Sequence, residues 1–528
     1  MLFNSHIFLF AFLPLTLAGF LFFRQSGLVT IAVWWLIGAS TIFYGWWNPA
    51  YLWLIYAVML SNYGIGWLLT NAAWSQRKRK TLFVLGVVAN IGVLAWFKYA
   101  NFITDNINAA TGLGLTLDKI ILPLAISFFI FQKIAFLVDT YRRETHARDL
   151  LRYCLFVLFF PQLIAGPIVR FQEVASQFER EAMRNASRHW VSDLSIGLMI
   201  FGVGLFKKVM VADGLSTIAS PIFDGAGSGV RLDLLEAWAG ALAYTFQLYF
   251  DFSGYSEMAV GLARMFGIKL PANFWSPYKA TSVIDFWRRW HITLSRFLRD
   301  YLYISLGGNH KGAASRYSNL FITMLIGGLW HGANWTFFVW GLLHGLYLIV
   351  NHLWRYIVKA IGWNSNAISP WVARVMTFAF VVFAWVVFRS NTLSVAGDIL
   401  FAMVGGNGIS FPKAFAPWVI AKFGSLGGII RFDGVLPNDL ILYRLRGWVF
   451  PIFSILLAFC WLAPNTYQAM SRYKPVLRIP EISMAAESYP RYFRWRPSIS
   501  WAAILILLLI TSILAMGEGV SEFLYFQF

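Results

Sequence analysis

The chain has 528 residues, is 59% hydrophobic with a mean hydropathy of +0.62, and carries a net charge of +19. Repeated apolar runs of about 20 residues, each able to cross roughly 30 Å of hydrocarbon, exclude a soluble globular class and predict an all-α polytopic membrane protein. A β-barrel would instead alternate polar and apolar residues over short segments. The positive charge is assigned to Lys and Arg in loops beside anionic lipid headgroups, so membrane lipids are expected partners and nucleic acid is not. Cys154 and Cys460 both lie in apolar surroundings, and neither a disulfide framework nor a metal site is expected from them. No segment beyond a few dozen residues is free of membrane-length runs, so residues 1–528 read as one integral domain.

In chain order, MLFNSHIFLFAFLPLTLAGFLFF lacks a basic leader region and a small-residue cleavage site, and is read as the first span, with Arg24 at its cytoplasmic end. Val29–Trp46 returns, Tyr51–Thr70 crosses again, and Arg77-Lys78-Arg79-Lys80 falls inside, as the excess of Lys and Arg in cytoplasmic loops requires. Leu82–Phe97 exits, residues 101–118 form a polar external segment, and Ile120–Val138 comes back to Arg142 and Arg143. Leu155–Ile168, with Gln162, Gly166 and Pro167, and Val395–Gly405 are short or interrupted, which predicts re-entrant or discontinuous helices lining a cavity. Residues 407–446 form an irregular loop. Arg491, Arg494 and Arg496 precede the last span, Ile499–Met516, leaving the tail 517–528 outside; both termini are then extracytoplasmic. No internal repeat of the kind many secondary transporters carry is evident.

Three groups of residues carry chemistry. The stretch Leu320–Val350 contains no Asp, Glu, Lys or Arg, yet His331 sits in its middle. An ionisable group in a membrane-length segment is a functional-site candidate by default. Gly327, Gly328 and Gly332 around it would let backbone or substrate approach closely. The same histidine could simply bond a neighbouring helix, or relay protons in a transporter or channel; His344 and His352 read as structural or interfacial. Next, if Asp285–Tyr301 is one helix, Phe286, Trp287, Trp290, Leu294, Phe297, Leu298 and Tyr301 share one face. Arg288, Arg289, Arg296 and Arg299 take the other, with His291 on the border, a pattern suited to an interfacial helix. Its arginines could bind phospholipid or also grip an anionic cofactor, since guanidinium forks suit phosphate oxygens. Lastly, Asp251 and Glu257 are expected to cap, or to pair with Arg264.

FFPQLIAGPIVR (Phe159–Arg170), DFSGYSEMAVGLARMFGI, FWRRWHITLSRFLRDYLYISLGGN and LIGGLWHGANWTFFVWGLLHG together resemble the membrane-bound O-acyltransferases, with the motif core at about residues 120–390. The likeness is greatest to the bacterial branch that serves alginate O-acetylation and the D-alanyl modification of teichoic acid. The resemblance implies a ring of transmembrane and re-entrant helices around a central funnel, with the acyl donor entering from the cytoplasm. It puts the family's near-invariant histidine on His331 and its second histidine on His291. A neutral imidazole, with an ordinary pKa near 6.5, suits general-base work usually worth about 10² to 10⁴ in rate. His291 suits donor positioning as well as proton transfer.

Under this resemblance the donor is acetyl-CoA, a substrate and not a permanent cofactor, held by Arg288, Arg289, Arg296, Arg299, Trp287 and Trp290. The ending Phe523-Leu524-Tyr525-Phe526-Gln527-Phe528 matches a Phe-x-Tyr-x-x-Phe pattern of that branch. It implies that Tyr525 takes the acyl group and passes it to an extracytoplasmic SGNH-type transferase. An aromatic anchor at the external interface would use the same residues. The expected function is therefore O-acetylation of an exported polysaccharide from the bacterial inner membrane, alongside the export machinery. Alginate, cellulose or another exopolysaccharide are acceptors to consider. A lipid, peptidoglycan or teichoic acid acceptor, or a transporter with a proton-relay histidine, is the alternative.

Overall fold

The computed structural model describes the chain except residues 72, 147–148, 165, 311, 363–368, 411–415, 424–429, 432–448, 478–488, 518–523 and 525–528. Helices dominate it, and two two-residue strands, Ile409–Ser410 and Ile430–Arg431, pair in parallel. Among the described residues, six helical segments are long and apolar enough to cross a membrane: Phe8–Gln25, Pro49–Leu69, Gln76–Thr111, Trp190–Gly227, Trp335–Ala360 and Pro370–Arg389. Shorter apolar helices at Val29–Gly45, Leu393–Met403, Val449–Leu462 and Ile499–Ala515 accompany them. Leu15, Trp34, Trp53, Trp96, Ile499 and Leu514 are exposed on their outer faces, a surface suited to lipid and not to water. The chain is a multi-pass membrane protein.

The first three spans fall where the hydropathy pattern puts them. The fourth does not stop at Phe97: one helix of 36 residues runs Gln76–Thr111, about 54 Å long at 1.5 Å per residue. Its first turns hold the Arg77–Lys80 cluster, and Ser75 caps it by accepting from Lys78 N. The polar residues expected in an external loop extend the helix instead, because their amides hold the returning chain. Asn108 bonds both N and O of Leu115, and Asn101 bonds Ile120 N and Asp118 O. The helix ends at left-handed Gly112, and the next begins at Ile126 and not at Ile120. The interrupted segment is broken as its Pro and Gly suggest, into Leu150–Leu158 and Phe160–Leu163. Gly166 is required there, since a Cβ would lie 2.5 Å from Gln162 Cα.

At the centre stands the helix Leu234–Met265, in which every residue from Ala243 onward is buried. A capping box starts it: Glu236 N donates to Asp233 Oδ1 at 2.8 Å and Asp233 N to Glu236 Oε2 at 3.1 Å. Trp190–Phe206 packs along it antiparallel with backbones in contact. A Cβ on Gly261 would meet the Gly197 carbonyl oxygen at 2.6 Å, and one on Gly204 would meet the Gly254 oxygen at 2.6 Å. Such small-residue seams replace the hydrophobic effect as the means of joining helices in lipid. The acids of the central helix do pair, but with other partners than expected. Asp251 meets Lys208 at 2.7 Å, Glu257 meets Lys207 at 2.6 Å, and Arg264 is taken by Asp193 at 2.7 Å. The reason is geometric: Arg264 lies about two turns beyond Glu257 and about three and a half beyond Asp251 on the same rod, whereas Lys207 and Lys208 come from the neighbouring helix at their level.

Gly261→Leu should therefore separate the two helices. Overpacking of this kind costs about 1–3 kcal/mol or more. The expected result is loss of the monodisperse peak in detergent size-exclusion chromatography. Gly92→Ala, at a glycine facing open space, should leave that peak unchanged.

Candidate active site

The apolar stretch around His331 is a hairpin of two helices, Gly312–His331 and Trp335–Ala360, and not one continuous span. Asn334 starts the second helix by accepting from Thr336 N at 3.1 Å. His331 is thus the last residue of a helix, at a turn. Protein fills the space around the glycines expected to admit substrate. A Cβ on Gly328 would lie 2.4 Å from the Phe337 carbonyl oxygen, and one on Gly332 would run into the Phe337 ring at 2.1 Å.

A helix end leaves carbonyl oxygens without intrahelical donors, and here the long Gln76–Thr111 helix supplies them. Lys98 Nζ donates to Trp330 O at 2.5 Å and to His331 O at 3.0 Å, and Tyr99 Oη donates to Leu329 O at 2.6 Å. Lys98 also reaches Ser127 Oγ and lies 5.9 Å from the Trp330 ring. A cation at the negative end of the helix dipole is well placed. Sequence reasoning passed over Lys98, although its isolation is a signal: residues 81–97 carry no charge.

Aromatic rings enclose the imidazoles. His331 packs against Trp330 and Trp340, each with ring centroids 5.0 Å away, and Phe388 at 5.2 Å. The same Trp330 meets His291 at 6.0 Å, and Phe252 of the central helix meets His291 at 4.7 Å. Both histidines are buried. His291 has a left-handed backbone, φ 43°, and caps the helix Ile292–Phe297 by accepting from Leu294 N on Nδ1 at 3.3 Å. A neutral His291 therefore carries its proton on Nε2. His344 joins the cluster through Trp340 at 4.7 Å, and its Nδ1 accepts from Trp287 Nε1 at 3.2 Å.

The amphipathic helix expected over Asp285–Tyr301 is broken at this histidine into Val283–Arg289 and Ile292–Phe297, followed by a wider π turn at Leu298–Tyr303. The break leaves Trp290 extended and lets His291 turn back into the core. Phe286, Trp290, Leu294 and Phe297 are buried in protein, not in lipid. Trp290 stacks on Phe286 and packs against Trp385. Of the four arginines, Arg289 pairs with Asp285 at 2.9 Å, Arg296 with Glu173 at 2.8 Å, and Arg299 with Asp300, which also binds Arg170. Arg288 and Arg299 remain exposed. Tyr525 lies outside the described residues. Its neighbour Leu524 is buried, and Leu524 N donates to Asp251 Oδ2 at 2.9 Å.

The pattern of the membrane-bound O-acyltransferase family matches residues 46–394. The chain is 38% identical to a probable alginate O-acetylase of Pseudomonas syringae pv. tomato over the full length of both. It is 42% identical to a peptidoglycan O-acetyltransferase of Helicobacter pylori, over 78% of this chain and 81% of that one. A probable alginate O-acetylase of Pseudomonas aeruginosa is 43% identical over 76% of this chain and 75% of its own. A family pattern spanning the histidine hairpin, and relatives matched from end to end, mean that the chain belongs to the membrane-bound O-acyltransferases.

Proposed function

We propose that this membrane acyltransferase takes an acetyl group from cytoplasmic acetyl-CoA and delivers it for O-acetylation of an exported polysaccharide. The observation that carries the reading is that two buried imidazoles, His331 and His291, both pack against Trp330. The acceptor hydroxyl attacks the thioester carbonyl, its proton passing to His331 as general base. His291, donating from Nε2, holds the developing oxyanion. The tetrahedral centre then collapses, the carbon–sulfur bond breaks, and the coenzyme A thiolate takes the proton back from His331. An acyl ester and free thiol result.

We assign the first acceptor as the phenol of Tyr525, followed by transfer to an extracytoplasmic SGNH-type enzyme beside the polysaccharide export machinery. Burial of Leu524 and its bond to Asp251 support this reading over an aromatic anchor, since an anchor would stand at the lipid interface. Arg288 and Arg299, exposed on the motif segment, are the arginines of that segment best suited to a soluble anionic donor. Inner-membrane residence with both termini outside is part of the same proposal. Its support is the alternation of the first three crossings, which puts Arg24 and Arg77–Lys80 on one basic side.

Purified protein incubated with radiolabelled acetyl-CoA should become labelled on Tyr525, and His331→Ala should reduce the labelling rate by about 10² to 10⁴. Label on no residue, with the donor intact, would sink the enzyme reading in favour of a transporter. Deleting residues 523–528 should abolish acetate transfer to the polysaccharide while the protein stays monodisperse.

Lys98 acts through His331, as a positioning residue. Lys98→Met should lower kcat about tenfold and leave KM for the donor unchanged, in keeping with the 1–2 kcal/mol scale of a partly buried charge at a helix end. Lys98→Arg should restore part of the rate. An equal loss in both variants, or a rise in KM alone, would count against positioning.

A further inference from the structure

A cavity of about 500 Å³ lies at the far end of the central helix, where Trp190–Phe206 begins and the loop after Met265 leaves. Arg188, His189, Ser192, Asp193, Arg264 and Lys269 line it. The one carboxylate of this set, Asp193, is paired with Arg264 Nη2 at 2.7 Å. The lining offers no second acid to Arg188 and Lys269. The Lys269 ammonium is accordingly held below its ordinary value, by burial first and then by the charge of Arg264.

Two further observations point to an anionic ligand. Arg264 is 7% exposed, and its buried Nε has no hydrogen-bond partner among the described residues. Behind the cavity wall, Arg24 is 2% exposed; it donates from Nη1 to Phe266 O at 3.1 Å, while its Nε and Nη2 have no such partner. Gly267 is what separates it from the cavity, and a Cβ there would lie 2.9 Å from Arg24 Nη1. An unsatisfied buried guanidinium nitrogen is unfavourable by about 1–3 kcal/mol or more, so the arginine in the cavity wall and the one behind it both raise the demand for negative charge here. The 17-residue helix starting at Trp190 also presents its amide end here, with no side chain capping it. That end carries positive dipole charge and free N–H groups.

We propose that this cavity is a phosphate-binding site, taking a phosphomonoester or diphosphate group. Guanidinium forks, an ammonium and a helix N-terminus are the set that phosphate oxygens recruit, and the excess of cations suits a doubly charged group better than a carboxylate. The site is separate from the histidines. Arg264 lies twelve residues beyond Phe252, which touches His291, or about 18 Å along the helix axis. It lies on the side that carries Arg77–Lys80, where both a soluble phosphate ester and a phospholipid headgroup have access. The inference does not depend on the identity of the acyl donor.

The test is thermal melting of the full-length protein in detergent, titrated with pyrophosphate, adenosine 3′,5′-bisphosphate or short-chain phosphatidylglycerol, each against sodium chloride of equal ionic strength. Pyrophosphate should raise the melting temperature saturably. Arg188→Gln with Lys269→Gln should raise the half-saturating concentration at least tenfold and leave the ligand-free melting temperature unchanged; Lys269→Gln alone should raise it less. Tighter response to the bisphosphate supports a soluble ligand at this site, and tighter response to the lipid supports a headgroup there. Identical titrations of wild type and the double variant, or an equal response to sodium chloride, overturn the proposal.

Discussion

The ion pairs Lys207–Glu257 and Lys208–Asp251 join the central helix to its neighbour at a depth where no water competes for either partner. In hydrocarbon a charge without a partner is not sustainable, so these contacts decide which helix stands beside which, and at what height. Removing one member of such a pair leaves the other charge buried, at about 3–5 kcal/mol. The Gly197–Gly261 and Gly204–Gly254 seams then set the spacing, because backbones must touch before the lysines can reach. Even Leu524 answers to this arrangement: its N bonds the second oxygen of Asp251, so it is tied to the ion pair itself.

The same scarcity of partners shapes the histidine site. A helix that ends inside the protein must find donors for its last carbonyls, and Lys98 and Tyr99 supply them at Leu329, Trp330 and His331. Lys98 thereby bonds the carbonyl of the candidate base, His331, and not its ring, through these contacts. Trp330, its carbonyl held by Lys98 and its ring in contact with both imidazoles, ties His291 and His331 to one side chain. Placing the reacting groups on helix ends and not in mid-helix lets the rings turn inward while the rods stay regular.

Much of this was legible in the chain. Length and hydropathy gave the class and most crossings, and the motifs singled out His331 and His291, both of which pack against Trp330. What was hidden follows from tertiary choices. Nothing local distinguishes Asn101 and Asn108 as clamps for a returning segment from loop residues, so the extended helix to Thr111 was missed. Helical periodicity over Asp285–Tyr301 is real, yet the left-handed turn at His291 breaks it, because the ring is needed in the core and the arginines find Asp285, Glu173 and Asp300. The partners of Asp251 and Glu257 were misread for a related reason: sequence proximity favoured Arg264, while height in the bundle favoured Lys208 and Lys207. The basic cavity was invisible, since Arg188 and the Arg264–Lys269 segment that line it, and Arg24 behind it, come from separate places in the chain.

Seen along the central helix, these features are ordered by depth. Arg264 marks the basic end, Phe252 presents the aromatic floor of the histidine cluster, and Asp251, one residue away and turned by about 100°, holds Leu524 N. A single rigid rod thus connects the basic cavity, the histidine cluster and Leu524. Because side chains on one helix cannot change their relative heights without unwinding it, Arg264, Phe252 and Asp251 are held in register by covalent geometry. For an acyltransferase, whose rate depends on holding reacting groups in place, that register is set by the fold before any substrate binds.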